Sequence, residues 1–157
     1  DFKGDMVFYA ESKNGRWNIM KSSVRGDIGP PMLLAEDREL YIESYDGEYR
    51  VWRDALDKRF YIQWSADNSV EVLPIVLSEN QLWLKVQAKS RGIYYTYLID
   101  DIRYKLKFFD LQTKEISDAV AVEYLYHSRF SISSDESSVY ILEAVRGDFD
   151  IAEITLP

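Results

Sequence analysis

The chain has 157 residues, of which 46% are hydrophobic and 15% aromatic, and its formal net charge is −8. That length suits one domain with a substantial core, and the excess of acids disfavours a nucleic-acid surface, which needs clustered Lys and Arg. No run of about 18 apolar residues is present to span a membrane, and the absence of cysteine excludes disulfides and thiol catalysis.

Short apolar runs separated by polar turns begin near the start of the chain. MVFYAE and WNIM flank a turn that contains Gly15, which is typical of a β-hairpin. Four further candidate strands follow, namely ELYIES, EYRVWRD, RFYIQW and SVEVLPI, and Asp46-Gly47, DALDK and SADN separate them. The alternative here is a helix from Tyr49 to Phe60, because several large apolar side chains in that stretch fall near helical spacing.

The second half of the chain continues the same pattern. Its candidate strands are NQLWLKVQA, GIYYTYLID, YKLKFFDL, ISDAVAVEY and SRFSIS, followed by a final hairpin that ends in DIAEITLP. Many of these runs are apolar at nearly every position, as expected for strands covered on both faces. The sequence therefore predicts an all-β fold built from antiparallel sheets.

The final hairpin repeats the first one at a constant offset. Val7 aligns with Val139, and Gly15 aligns with Gly147 without a gap between them. The repeat predicts equivalent core positions at Val7, Tyr9, Ile19, Val139, Ile141 and Ile151. The offset from Val7 to Val139 is 132 residues, and one third of it is 44 residues. The chain divides into four units near that length, at residues 5–35, 36–76, 77–124 and 125–157.

Units of about 40 to 45 residues with four strands each are typical of a β-propeller, whose blades are buried by their neighbours. We therefore predict a single β-propeller-like domain over residues 1–157, made of about four antiparallel four-stranded blades, as a small or partial propeller. The terminal units are expected to be incomplete. The first lacks a convincing opening strand, and the last ends without a fourth strand.

The final unit also carries a family resemblance. FSISSDESSVYILEAVRGDFDIAEITLP resembles the TolB-like, WD-type propeller repeat, in which a Ser-Pro-Asp-Gly turn precedes a strand, a polar turn and a return strand. Ser134 and Asp135 occupy the Ser and Asp places, and Glu136 replaces the usual Gly. VFYAESKNGRWNIMKSS in the first unit looks like the same repeat.

The ending DIAEITLP is similar to the extracytoplasmic propeller of membrane-anchored transcription regulators of the ToxR and CadC type. That resemblance implies a periplasmic sensing domain, which in such regulators follows a winged-helix domain and a membrane helix. Peptidase-associated and secreted propellers carry similar repeats.

Groups that support catalysis are scarce. His127 is the only histidine, so a Ser-His-Asp triad depends on it, and its position between two strand-like runs favours a simple connection. Asp100, Asp101 and Asp110 offer oxygen ligands for calcium, but turns are the commoner role of such residues. We expect no enzyme activity, no metal site and no cofactor.

Two aromatic groups form the candidate ligand-binding or protein-binding site. They are Tyr41, Tyr45, Tyr49 and Trp52 in the first group, and Trp83, Tyr94, Tyr95 and Tyr97 in the second. Strand alternation places half of each group on one side of a sheet, where an exposed patch of Tyr and Trp is a competent binding surface. In the alternative, these rings fill the space between neighbouring blades.

The predicted function is a non-catalytic binding or sensing domain, as the extracytoplasmic part of a membrane-anchored transcription regulator. It recognises a protein partner or a small-molecule signal and does not bind nucleic acid directly. The alternatives are an accessory propeller of a peptidase or other secreted enzyme, and a structural self-association module. Open terminal strands favour closure of the first strand on the last, or a homodimer through those edges.

The chain begins at Asp1 and not at Met, as a mature product or an excised domain would. A periplasmic or extracytoplasmic location is expected, and the composition adds to the resemblance that implies it. The absence of cysteine suits an exported chain that avoids mispaired disulfides.

Overall fold

The computed structural model describes residues 2–3, 6–13, 16–23, 32–36, 38–44, 46–54, 56–77, 81, 84–101, 103–125, 129–145 and 148–157. These residues form fifteen β-strands and no helix, which confirms the all-β prediction. Within them, nothing resembles a helix long and apolar enough to cross a membrane. The chain folds into two compact units, Asp1–Glu43 with Gly47–Pro74, and Ser44–Asp46 with Ile75–Pro157. The single domain over residues 1–157 stays a prediction.

The first unit contains two antiparallel four-stranded sheets, in which each strand pairs with the next one along the chain. The first sheet consists of β1 (Phe2–Lys3), β2 (Met6–Lys13), β3 (Arg16–Ser23) and β4 (Met32–Glu36). The second consists of β5 (Arg38–Glu43), β6 (Tyr49–Asp54), β7 (Phe60–Trp64) and β8 (Val70–Leu73). Strands β6 and β7 occupy the stretch for which a helix was the alternative, so the strand interpretation is confirmed.

The second unit contains the third and fourth sheets. The third consists of β9 (Val86–Ala88), β10 (Gly92–Leu98), β11 (Arg103–Asp110) and β12 (Ile116–Leu125). The fourth consists of β13 (Phe130–Ile132), β14 (Ser138–Val145) and β15 (Asp148–Thr155).

The two terminal sheets differ in how well they match expectation. In the described residues the fourth sheet ends at β15 without a fourth strand, as predicted. The first sheet does have an opening strand, β1, so the prediction that it lacks one was wrong. That strand is only two residues long, with Phe2 opposite Val7 and Lys3 opposite Met6, and it is too short to show an alternating pattern.

The hairpin repeat is reproduced in the pairing of the strands. Tyr9 lies opposite Met20 in the first sheet, and Ile141 lies opposite Ala152 at the equivalent positions of the fourth. All eight pairs of β2 with β3 have counterparts in β14 with β15 at the same offset. The repeat therefore fixes the register of both hairpins.

Burial does not follow the repeat, so equivalent core positions were predicted wrongly. Ile141 is fully buried but its counterpart Tyr9 is 38% exposed, whereas Ile19 is 4% exposed and its counterpart Ile151 is 73% exposed. The two sheets bury opposite faces because their neighbours lie on opposite sides: β3 contacts β5, and β14 contacts β12. The side chain of Val7 lies outside the described residues.

A hydrophobic core joins the third and fourth sheets. Its buried residues are Tyr94, Leu98, Tyr104, Leu106, Phe108, Ala119, Val120, Phe130, Ile132, Val139, Ile141 and Leu156. Gln87 of β9 adds a polar link, because its side-chain amide donates to the Phe130 carbonyl at 3.3 Å and accepts from the Ile132 N–H at 3.0 Å. The Gln87 side chain thus forms with β13 the hydrogen bonds that a neighbouring strand would otherwise form.

Two hairpins share one turn design, in which an aspartate closes the loop. The Asp54 carboxylate accepts from the backbone N–H of Leu56 at 2.8 Å, and Asp110 accepts from that of Gln112 at 2.7 Å. Each turn ends on a lysine in the left-handed region, with φ of 61° at both Lys58 and Lys114. The aspartates thus act as turn residues, which satisfy backbone donors that would otherwise lack a partner.

Glu136, in the place of the usual Gly, also has a positive φ of 56°. Such a conformation costs a residue with a Cβ about 1 kcal/mol or more. Unlike the turn lysines, Glu136 is buried, and its carboxylate accepts from the Arg91 backbone N–H at 3.1 Å and the Tyr94 hydroxyl at 3.4 Å. The carboxylate therefore ties the turn before β14 to β10 and the loop that precedes it, which offsets the backbone strain.

A pair of glycine substitutions tests this assignment. We expect Lys114→Gly to raise the free energy of unfolding by about 0.5 to 1 kcal/mol, because Gly removes the Cβ from a left-handed residue. Glu136→Gly should lower it by about 1 to 2 kcal/mol, because the Arg91 N–H and the buried Tyr94 hydroxyl lose their acceptor. Urea unfolding of both variants measures the effects. A gain in stability at both positions would show that the Glu136 carboxylate contributes little.

Candidate binding site

The aromatic residues of the second sheet lie mostly in its interior. Tyr49 and Trp52 are buried on opposite faces of β6. The Tyr49 ring is tilted by 55° against Trp64 at a centroid distance of 5.6 Å, and Trp52 is stacked on Tyr61 at 5.6 Å. Both contacts join residues directly opposite each other in β6 and β7, where aromatic pairs stabilise a sheet.

In the third sheet, Tyr94 and Tyr95 are buried on opposite faces of β10. Tyr94 packs against Phe108 at 4.6 Å between ring centroids. Tyr97 is half-buried, and the Lys107 ammonium lies 5.7 Å from the centre of its ring. Among the described residues of this group, Tyr97 therefore combines a half-buried ring with a nearby charge.

Three predicted site residues lie partly or wholly outside the described residues. Tyr45 and Trp83 are not described, and for Tyr41 only the backbone is, opposite Trp52 in the pairing of β5 with β6. The burial of Tyr49, Trp52, Tyr94 and Tyr95 agrees with the alternative in which such rings fill the core. A binding role for the eight residues stays a prediction.

The buried phenols supply a test by titration. Burial raises the pKa of both Tyr94 and Tyr95 to about 12, from an ordinary value of 10.0, and the negative charge of Glu136 adds to the effect at Tyr94. Because the folded-state pKa is the higher one, the stability that the neutral phenols contribute is complete below pH 10 and is lost as the pH rises towards 12.

We therefore expect an ultraviolet titration to show phenols that ionise only near pH 12 or on unfolding. Tyr94→Phe and Tyr95→Phe should each remove one phenol from that late phase. If neither substitution changed the late phase, these side chains would not be buried as described.

The sequence patterns did not reveal an exposed apolar surface on β8. Val70 and Val72 are 52% and 53% exposed and lie on the same face of the strand. Val72 lies opposite Tyr61, whose half-buried ring is stacked on Trp52 in the next strand. We call Tyr61, Val70 and Val72 the β8 surface. Its signal in the sequence was the alternation of SVEV, which places both valines on one side of the strand.

The backbone of β8 adds to this surface. In the sheet order β8 comes last, and among the described residues no strand pairs with its outer edge. The Tyr61 hydroxyl already donates to the Asp57 carboxylate at 2.5 Å, so the phenol presents its ring face and not an unmet polar group. The β8 surface thus joins exposed aliphatic side chains to an open strand edge.

Two of the other sequence candidates, Asp100 and Asp110, have structural roles. Asp100 forms an ion pair with Arg103 at 2.6 Å, and Asp110 closes a turn, so for both the turn interpretation is confirmed. Asp101 is exposed, and His127 lies outside the described residues. In the described ranges, no three His, Cys, Asp or Glu side chains are grouped as a metal ion requires.

Comparisons with known proteins show which fold the chain shares. No family model matches the chain, and a search of curated proteins by sequence finds no match. It superposes on TolB from Acinetobacter baumannii with a TM-score of 0.70 at 10% identity, over 97% of this chain and 38% of that one. On the β-propeller domain of the Trilobed protease from Pyrococcus furiosus, the TM-score is 0.57 at 12% identity, over 98% of this chain and 54% of that one.

The chain thus spans less than two thirds of the length of either protein. At these identities the similarity shows the fold alone. The predicted propeller-like fold is confirmed, and the four antiparallel sheets correspond to propeller blades. The fold of the chain is that of a TolB-like β-propeller.

Proposed function

We propose that this chain is a non-catalytic protein-binding domain and that the β8 surface receives its partner. The observation that carries the proposal is the pair of exposed valines beside an open strand edge. An extended partner segment gains backbone hydrogen bonds at such an edge, and its alternate side chains cover the exposed apolar ones. The partner is therefore a protein segment in β conformation, with aliphatic or aromatic residues at every second position.

The neighbourhood of the edge supports this assignment. The stacked Trp52 and Tyr61 rings hold β6 and β7 rigidly behind the edge, so that β8 is presented on a preformed sheet. The face of the sheet that carries Val70 and Val72 also contains the polar Gln63, which lies opposite Val70. A partner that alternates apolar and polar side chains matches that pattern.

A matched pair of variants tests the β8 surface. Random peptides are selected for binding to the wild-type chain, and their affinities are measured by fluorescence anisotropy. Val72→Lys should weaken binding at least about 10-fold, because it places a charge on the apolar contact. The control Ile116→Lys alters another exposed aliphatic residue, 39% exposed on the last strand of the third sheet, and should leave affinity unchanged.

Two results would overturn the proposal. One is selected peptides that bind Val72→Lys as tightly as wild type. The other is an equal loss at both positions, which would indicate general charge repulsion and not a local surface. Circular dichroism of both variants establishes that they are folded.

We further propose that binding serves signal sensing, as the extracytoplasmic part of a membrane-anchored transcription regulator. The support is the resemblance of DIAEITLP to that group, together with a cysteine-free chain. A chimera tests it, in which this chain replaces the sensing domain of such a regulator and a reporter gene measures transcription. Output should change when a selected peptide is added to the periplasm. Unchanged output with intact peptide binding would contradict the regulatory role and leave the binding role standing.

The second candidate is an accessory propeller of a peptidase, and the fold shared with the propeller domain of the Trilobed protease favours it. Such a domain meets many unfolded substrates, so the selected peptides should then share no sequence beyond their apolar content. A sensing domain has one partner, and its peptides should converge on a consensus.

A further inference from the structure

Two sheet faces, one in each terminal sheet, are exposed although they carry apolar side chains. On the fourth sheet this face contains Tyr140, Leu142 and Ile151, since Ile151 lies opposite Leu142 and Tyr140 opposite Glu153. On the first sheet it contains Tyr9, opposite Met20. Tyr9, Tyr140 and Ile151 are exposed. We call these the Ile151 face and the Tyr9 face.

The hairpin repeat shows what kind of surface these are. Ile151 stands at the position of Ile19, which is buried in the first sheet, where β3 contacts β5. Tyr9 stands at the position of Ile141, which is buried in the core shared by the third and fourth sheets. The Ile151 face therefore matches the face by which the first hairpin packs against a sheet. The Tyr9 face matches the face by which the final hairpin packs against a sheet.

We propose that the Ile151 face of one molecule packs on the Tyr9 face of a second copy of this chain. Their counterparts, the faces of Ile19 and Ile141, each pack against a neighbouring sheet within the chain, so both exposed faces have a geometry suited to such packing. The contact continues the stacking of neighbouring sheets from one molecule to the next. A second copy is the occupant that the chain itself supplies, because it carries both faces.

The polar groups on the Ile151 face permit this contact. The Tyr140 hydroxyl donates to the Glu153 carboxylate at 3.1 Å, so both groups have a partner before any association. The Tyr140 ring and the Ile151 side chain are then free to lie against the Tyr9 ring and Met20. Burial of such apolar surface, with the polar groups already paired, favours association.

The proposed contact joins two different faces, and this fixes the form of the assembly. A contact between unlike faces leaves one free face of each kind at the ends, so it produces rings or open chains and not only dimers. The average mass of the wild-type chain should therefore rise with concentration, up to a fixed size if a ring closes and without such a limit if the chains stay open. The β8 surface takes no part, and Val72→Lys should not alter the assembly.

Single-face variants test the proposal by sedimentation equilibrium over a wide range of concentration. Ile151→Asp and Tyr9→Asp should each be monomeric, with association weakened at least about 10-fold, because each variant lacks one of the two faces. An equimolar mixture should form a dimer and nothing larger, since each variant retains the face that the other needs. Leu56→Asp, at an apolar loop residue that is 82% exposed, is the control and should assemble as wild type does.

Three outcomes would overturn the proposal. A wild-type chain that is monomeric at every concentration would leave both faces without this partner. Continued assembly of Ile151→Asp would place the contact elsewhere. Failure of the mixture to dimerise, when each folded variant is monomeric, would show that like faces meet or that the faces do not bind each other.

Discussion

Truncation of Ile141 to Ala is expected to lower the free energy of unfolding by about 2 to 5 kcal/mol, which is the usual cost of a cavity in a packed core. Ile141 is fully buried in the core that joins the third and fourth sheets. Ile151→Ala, one strand away, should cost under about 0.5 kcal/mol, because most of that side chain already lies in solvent.

Urea unfolding measures both effects at a protein concentration low enough to keep the chain monomeric. The two substitutions are matched in chemistry, so their difference reports burial alone. Equal losses at both positions would contradict the assignment of opposite buried faces. They would favour instead the simple expectation that equivalent positions of the repeat are equally buried.

Replacement of Gly92 by Ala should lower the free energy of unfolding by about 1 to 3 kcal/mol. Gly92 begins β10 opposite Asp110, and an added Cβ would lie against the Phe109 carbonyl oxygen and 2.6 Å from Cε2 of Phe108. The carbonyl belongs to the backbone of a buried strand and is not free to move aside. The clash therefore forces a shift of β10 against β11.

Ser90→Ala, at an exposed residue close to Gly92, is the control and should change stability by under about 0.5 kcal/mol. Thermal unfolding of the two variants separates the effects. If Gly92→Ala unfolds at the wild-type temperature, there is more room beside β11 than the structure shows.

Hairpin register was predictable from sequence, but burial was not. The repeat aligns Val7 with Val139, and a turn of constant length then fixes all the cross-strand pairs, since these depend on local geometry alone. Which face is buried depends on where a neighbouring sheet lies. When a strand has apolar residues on both sides, its sequence does not indicate which side that sheet covers. Tyr9 and Ile151 were therefore misassigned to the core.

The aromatic residues show the same limit for the candidate site. Tyr49 and Trp52 are prominent in the sequence because Tyr and Trp are large and amphipathic, yet those properties serve a core as well as a surface. The β8 surface was overlooked because valine alternation is ordinary in a strand, and its exposure results from the position of β8 at the end of its sheet. Glu136 was recognised as a departure from the repeat, but its buried carboxylate bonds come from the third sheet and have no local signature.

The amide of Gln87 has a consequence for how the second unit opens. β13 is only three residues long, and in the described part of the chain a side chain of the third sheet, and not another strand, meets its outward backbone groups. If β9 detaches, the Ile132 N–H and the Phe130 carbonyl lose their partners at once, so the third sheet cannot fray without loosening the fourth. Hydrogen exchange at Ile132 should therefore report the opening of β9, and the two sheets should behave as one cooperative element on that timescale.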